Sequence, residues 1–170
     1  MSTTAAILQE IDQESATTRR VLERVPGDRL TWKPHPKSMS LGELALHIAG
    51  GPGFVAEWAL QDSIEFPNDS TLAQPKSTAE ILAAHEQSVA KAKNVISRLG
   101  DDGLHQHWQA TKNGVTVFGM PKAALVRTIV LNHTYHHRGQ LSVYLRLLDV
   151  KVPSIYGPSA DENPMEMAQA

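Results

Sequence analysis

Three histidines crowd into five positions, His133, His136 and His137. His133 and His137 are four residues apart, which on a helix places both imidazoles on one face where a single cation can bridge them. His136 is rotated by about 100° from His137 on an ideal helix and faces a neighbouring helix or a dimer partner instead. A third imidazole is available at His47, in the segment LGELALHIAG, beside an apolar stripe of its own. A helix facing the first pair can therefore bring a third ligand. The same spacing also suits hydrogen-bonded core histidines, so the context has to decide.

Composition narrows the chemistry. The 170 residues include 8 His and no Cys, which excludes a disulfide framework, a thiolate zinc site, a cysteine nucleophile and a cysteine-bound cluster. Any metal is held by nitrogen or oxygen, and any sulfur arrives on a ligand. With 16 basic and 18 acidic residues the net charge is −2, and no basic cluster offers a footprint for nucleic acid. No apolar run approaches the roughly 18 residues of a membrane span. Met1–Glu10 has neither a basic start nor an export-length apolar stretch, so the expected location is the cytoplasm, without nucleic-acid or membrane partners.

The elements that must position these residues are helices. Ile7, Leu8, Ile11, Thr18, Leu22 and Val25 recur at helical spacing, and Pro26-Gly27-Asp28 closes that segment. Ser40-Leu41-Gly42-Glu43 has capping-box form and predicts a second helix from Leu41 to about Leu60, kinked or broken where Gly50, Gly51, Pro52 and Gly53 interrupt it. Ser77-Thr78-Ala79-Glu80 repeats the signal for a third helix, stopped at Gly100. Asn113-Gly114, between Trp108 and Val115-Thr116-Val117-Phe118, marks a small hairpin or a long loop. Pro121 suits the first position of a long fourth helix reaching Leu148, and the proline-containing tail from Val152 to Ala170 is expected to be irregular. The expectation is one all-α domain spanning residues 1–170, a four-helix bundle whose interior can gather side chains around a cofactor.

HIAG around His47, the block NHTYHHRGQLSVYLR from Asn132 to Arg146, and the tail segment VPSIYGPSADE together resemble the DinB-like (DinB/YfiT-like) family. The similarity runs from Trp32-Lys33-Pro34 onward, and the HRGQ block with the later YGPS is its specific part. The resemblance implies a four-helix bundle with a divalent metal, nickel or zinc, on His47, His133 and His137. It also implies a metal-dependent enzyme, as some relatives are transferases or isomerases that use a small cellular thiol, and a homodimer.

Three neutral imidazoles leave a dication's charge uncompensated and a coordination position open, the arrangement of a working site. That position can serve a thiol-dependent transferase or a hydrolase acting on a small molecule. The alternative is a non-catalytic protein in which the metal is structural or sensory, binding a small ligand or an interaction partner.

The neighbours of these histidines carry weaker expectations. Glu43 is a helix cap before it is an orienting partner for His47. Arg138 pairs with an acid to lock packing, Gln140 shares its block without an assigned role, and Tyr144 either faces the metal or packs in the core. Phe54 and Trp58 lie along the His47 stripe as pocket wall or core. His85 is a satisfied core histidine, His35, His105 and His107 sit in loops, and Gly139 admits a close backbone. HEQSV at His85 lacks the second histidine of a metalloprotease helix, and no Glu-x-x-His of a di-iron bundle accompanies the ligands.

Overall fold

A computed structural model describes residues 1–68 and 72–167. Helix α1 spans Thr3–Leu22 and is capped by Ser2, whose hydroxyl accepts from the Ala5 N–H. It buries Ile7, Ile11, Thr18, Val21 and Leu22, and it ends a turn before the proline signal. Helix α2 spans Leu41–Trp58, with both bonds of its capping box made: Glu43 N–H to Ser40 Oγ at 3.1 Å, and Ser40 N–H to Glu43 Oε2 at 2.6 Å.

The glycine-proline stretch does not end α2. Pro52 stays inside the helix, and the third long helix, α3 (Thr78–His105), makes good the disturbed ladder from outside. Ser88 of α3 accepts from the Gly53 N–H at 2.7 Å and donates to the Gly50 carbonyl at 3.0 Å. A side chain inserted into the hydrogen-bond ladder is one of the few ways a helix survives such an interruption. A Cβ at Gly53 would lie 2.7 Å from the Ser88 carbonyl oxygen, so this glycine is where two backbones meet. The close approach expected at Gly139 is absent, since a Cβ there would meet nothing within 4 Å.

Gly100 breaks α3 without terminating it, adopting φ 59° and ψ −174°. The stretch that follows caps α1, because the Asp101 carboxylate accepts from the Thr4 N–H at 2.8 Å and from its hydroxyl at 2.6 Å.

The expected all-α architecture holds only approximately, because the helices carry a three-stranded sheet of order β1-β2-β3. Strand β2 (His107–Lys112) and strand β3 (Val115–Pro121) form the hairpin turning at Asn113 and Gly114, both with positive φ. Strand β1 (Ser63–Glu65) joins β2 in parallel, and β2 presses Trp108 and Ala110 into the core. Three residues are too few for an alternating pattern, which is why β1 left no trace in the sequence.

The last helix is continuous but not uniform. It begins as α4 (Lys122–Leu125) with Pro121 outside it as the N-cap rather than at the first helical position. It widens into a π-helical segment over Val126–Asn132, and proceeds as α5 (His133–Leu147). The His133 N–H donates to the Thr128 carbonyl, five residues back. π-helical turns inside helices occur frequently at functional sites.

Two apolar clusters fill the bundle. In one, Leu44 and Ile48 of α2 meet Leu141 and Leu145 of α5. In the other, Val55 of α2 meets Leu125, Val126 and Val130 of the last helix together with Trp108. Each large aliphatic side chain buried there contributes about 1.5–3 kcal/mol. The two helices thus run in opposite directions; His133 and His137 fall between the two clusters along the last helix, and His47 lies within the first cluster's stretch of α2, between Leu44 and Ile48. The tail is irregular up to a short helix α6, Pro164–Met167, and residues 168–170 of that expectation lie outside the described residues.

Candidate metal centre

The packing of α2 against the last helix brings the three histidines together. One ring nitrogen from each of His47, His133 and His137 lies within 4.8 Å of the others. The His47 ring centroid is 5.2 Å from that of His133 and 4.7 Å from that of His137, and the last two are 4.4 Å apart. Nε2 of His133 and Nε2 of His137 face one another at 2.6 Å.

A hydrogen bond decides which atom of His137 is free. Its Nδ1 lies 2.7 Å from the Gln140 side-chain oxygen, one turn further along α5. A carbonyl oxygen only accepts, so Nδ1 carries the proton and Nε2 presents its lone pair to His133 and His47. Gln140 thereby does for His137 what a carboxylate or carbonyl commonly does for a metal-bound histidine. Sequence reading quoted Gln140 without giving it this role, although its spacing from His137 was the available signal.

All three rings are held neutral. Burial pushes the His137 imidazole down to about 4, aided by the neighbouring His133, His47 and His136 and opposed by the Gln140 bond. Burial also lowers His47, with His133 adding to it, and lowers His133, with His136 adding to it. Neutral imidazoles are the ligating form, and zinc–nitrogen bonds of about 2.0–2.1 Å fit a group of this size after small side-chain rotations and release of the proton shared by His133 and His137. The residues present therefore suit a divalent cation.

The histidines form one end of a cleft of ≈ 450 Å³. Phe54 and Trp58 line it from α2 and Ile129 from the π-helical segment, so the aromatic pair serves as wall. Trp58 is also core, stacked on Trp108 with ring centroids 6.2 Å apart. Glu43 reaches the cleft, but its carboxylate is occupied by the Ser40 N–H and lies 3.5 Å from Lys33 Nζ, which supports the cap over an orienting role for His47.

Other expected residues separate from the site. His136 is exposed, and its ring lies beside that of His137 without joining the group. Arg138 is 1% exposed and pairs with Glu14 Oε2 at 2.7 Å, while also donating to Thr18 Oγ1 and the Tyr156 hydroxyl. It ties α5 to α1 and to the tail. Tyr144 packs edge-on against Trp32 and donates to the Met39 carbonyl at 3.4 Å, so it is a core residue. His85 is buried, as expected, but only half satisfied: Nε2 lies 3.1 Å from the Ser15 carbonyl oxygen and Nδ1 has no partner. His35 is exposed in a loop, whereas His105 ends α3 and His107 opens β2. Among the described residues His105 and His107 join no metal-holding group.

The chain matches the DinB family over residues 1–167. It belongs to the DinB family. YrdA of Bacillus subtilis, described only as uncharacterised, is 23% identical over 159 residues, covering 91% of this chain and 89% of YrdA. Among solved structures, a DinB-like protein of Bacillus cereus superposes with a TM-score of 0.68 at 23% identity, covering 88% of this chain and 95% of that one. The DinB-like protein YjoA of Bacillus subtilis gives 0.65 at 18% identity, covering 86% and 94%. At such identities the two structures establish the shared DinB-like fold.

Proposed function

We propose that this DinB-family protein binds one divalent cation, zinc or nickel, through His47, His133 and His137, and works as a metal-dependent enzyme on a small molecule. The observation that carries the reading is the convergence of three neutral imidazoles at the end of a cleft. A closed structural site would surround the ion with four protein ligands, whereas a three-histidine set leaves a position for an exogenous group. When bound, the cation supplies Lewis acidity and positive charge, suited to stabilising a thiolate or activating water. The reaction class we favour is transfer involving a low-molecular-weight thiol, with hydrolysis next.

The protein's own contribution is to position and to desolvate. Gln140 holds the His137 proton on Nδ1, burial keeps the rings unprotonated, and the apolar cleft wall limits water around the open position. Among the described residues no carboxylate in the cleft is free to act as a base, since Glu43 is engaged by Ser40.

A second reading makes the metal structural or sensory in a non-catalytic protein. The contribution of ligands from two packed helices favours it, because an ion held by His47 of α2 and by His133 and His137 of α5 would clamp the two together. Metal content by mass spectrometry on the purified protein and on His133→Ala tests binding, and retention of a full equivalent by the variant would refute the ligand set. Turnover of electrophiles with a panel of small thiols, compared between metal-loaded and His133→Ala protein, separates the enzyme from the clamp. We extend the reading to a cytoplasmic homodimer, which light scattering and cell fractionation check.

A further inference from the structure

The cleft wall says what kind of molecule belongs beside the histidines. Two helical turns after His47 on the same side of α2 stands Phe54, 62% exposed, a large apolar surface left open to solvent. Its ring meets Trp58 edge-on at 5.4 Å, Trp58 meets Phe66 at 5.6 Å, and Phe66 meets Phe118 of β3 at 6.1 Å. Trp58 is pinned from behind by its stack on the buried Trp108, so the aromatic wall is pre-formed.

Space between the histidines and this wall is kept open by glycine. Gly51 lies one turn after His47 and lines the cleft, and a Cβ at that position would meet nothing within 4 Å. Helix propensity argues against glycine there by about 1 kcal/mol relative to alanine, so packing within the chain gives no reason for it.

Charge completes the description. Among the described residues no Lys or Arg lines the cleft, and Glu43, the one carboxylate among them, already has the Ser40 N–H and Lys33 as partners. A ligand with a carboxylate or phosphate remote from the metal would lose solvation there without gaining a counter-charge.

We propose that the cleft selects a small molecule with one metal-ligating head and an uncharged aromatic body, the body lying over Gly51 against Phe54 and Trp58. This rests on the metal-centre reading and adds the class of ligand it serves. The volume of ≈ 450 Å³ is within the range of small-molecule sites and accommodates one or two rings.

Three hydroxamates that share a metal-binding head provide the test. Acetohydroxamate, benzohydroxamate and 4-carboxybenzohydroxamate are titrated into zinc-loaded protein by calorimetry, with quenching of tryptophan fluorescence as a second readout. Benzohydroxamate is expected to bind about tenfold tighter than acetohydroxamate, the scale of burying one ring, and the added carboxylate is expected to erase that gain. Gly51→Leu, which adds bulk at a position whose Cβ meets nothing within 4 Å, and Phe54→Ala are each expected to cut the phenyl advantage below about threefold at unchanged zinc content. If acetohydroxamate binds but the phenyl ring adds nothing, or the carboxylated compound binds best, the aromatic-ligand proposal is overturned while the metal reading stands. Failure of all three to bind zinc-loaded protein would overturn the open coordination position and the aromatic-ligand proposal with it, whereas a protein that takes up no zinc would overturn the metal reading itself.

Discussion

The side-chain oxygen of Gln140 sits 2.7 Å from Nδ1 of His137, one helical turn away, and through that contact it sets the orientation and tautomer of the most buried ligand in the cluster. Its removal leaves all three imidazoles in place. Gln140→Ala is therefore expected to weaken zinc binding by about 10–100-fold, with Gln140→Glu retaining most of the affinity. Competition against a chromophoric chelator measures both. Equal affinity in Gln140→Ala and the parent would show that the bond is incidental to metal binding.

Metal removal should cost stability in proportion to occupancy. At free zinc 100-fold above Kd the folded state gains about 2.7 kcal/mol, and a chelator should lower Tm accordingly. In His133→Ala the chelator should have little effect. Scanning calorimetry of the two proteins with and without chelator decides the matter, and a Tm shift of equal size in both would remove His133 from the ligand set.

The metal-free protein should lose stability on mild acidification. Burial depresses His85, with the Ser15 carbonyl only partly offsetting it, and likewise depresses His47, His133 and His137, the last to about 4. A base whose folded value lies below its ordinary 6.5 stays neutral while the unfolded chain takes up a proton. Stability is thus full above 6.5 and declines as pH falls toward the folded values, reaching about 4 for His137. Urea denaturation of the metal-free chain at pH 7.5, 6 and 5 should show a falling midpoint, less steep in His85→Gln. A flat profile would contradict the burial assigned to these rings.

Ser88→Ala removes the hydroxyl that serves the Gly53 N–H and the Gly50 carbonyl within the interrupted stretch of α2. Leaving such buried groups unmet costs about 1–3 kcal/mol. The same helix carries His47, so zinc affinity should fall along with the urea midpoint. A stability loss without any change in affinity would show that the Gly50–Gly53 segment and the ligand move independently.

Arg138 lies next to His137 in the chain yet faces away from the histidine cluster, onto Glu14, Thr18 and Tyr156. Arg138→Ala strands a partly buried carboxylate and is expected to cost about 3–5 kcal/mol. Arg138→Lys should recover only part of this, because one ammonium cannot reproduce the planar set of contacts. Denaturant titration of the two variants gives the comparison.

Local signals in the chain were sufficient for much of the architecture. The serine caps at Ser40 and Ser77, the Asn113-Gly114 turn and the spacing of His133 and His137 are short-range features, each interpretable within a few residues because helices and tight turns are made of short-range bonds. Composition also excluded a thiolate ligand for any metal, since the chain contains no Cys. What these signals left open depends on contacts between distant segments. Strand β1 exists because its three residues find β2, more than forty positions later. Gly53 rather than Gly139 takes the close approach, because Ser88 arrives from another helix. Gln140 and Phe54 acquire their roles from the rings and the cleft around them. His47 by its local pattern was a histidine on an apolar stripe, a candidate third ligand without a fixed partner. It joins the other two because α2 and the last helix pack in opposite directions through shared apolar clusters, and burial there, which no local pattern encodes, keeps all three rings neutral.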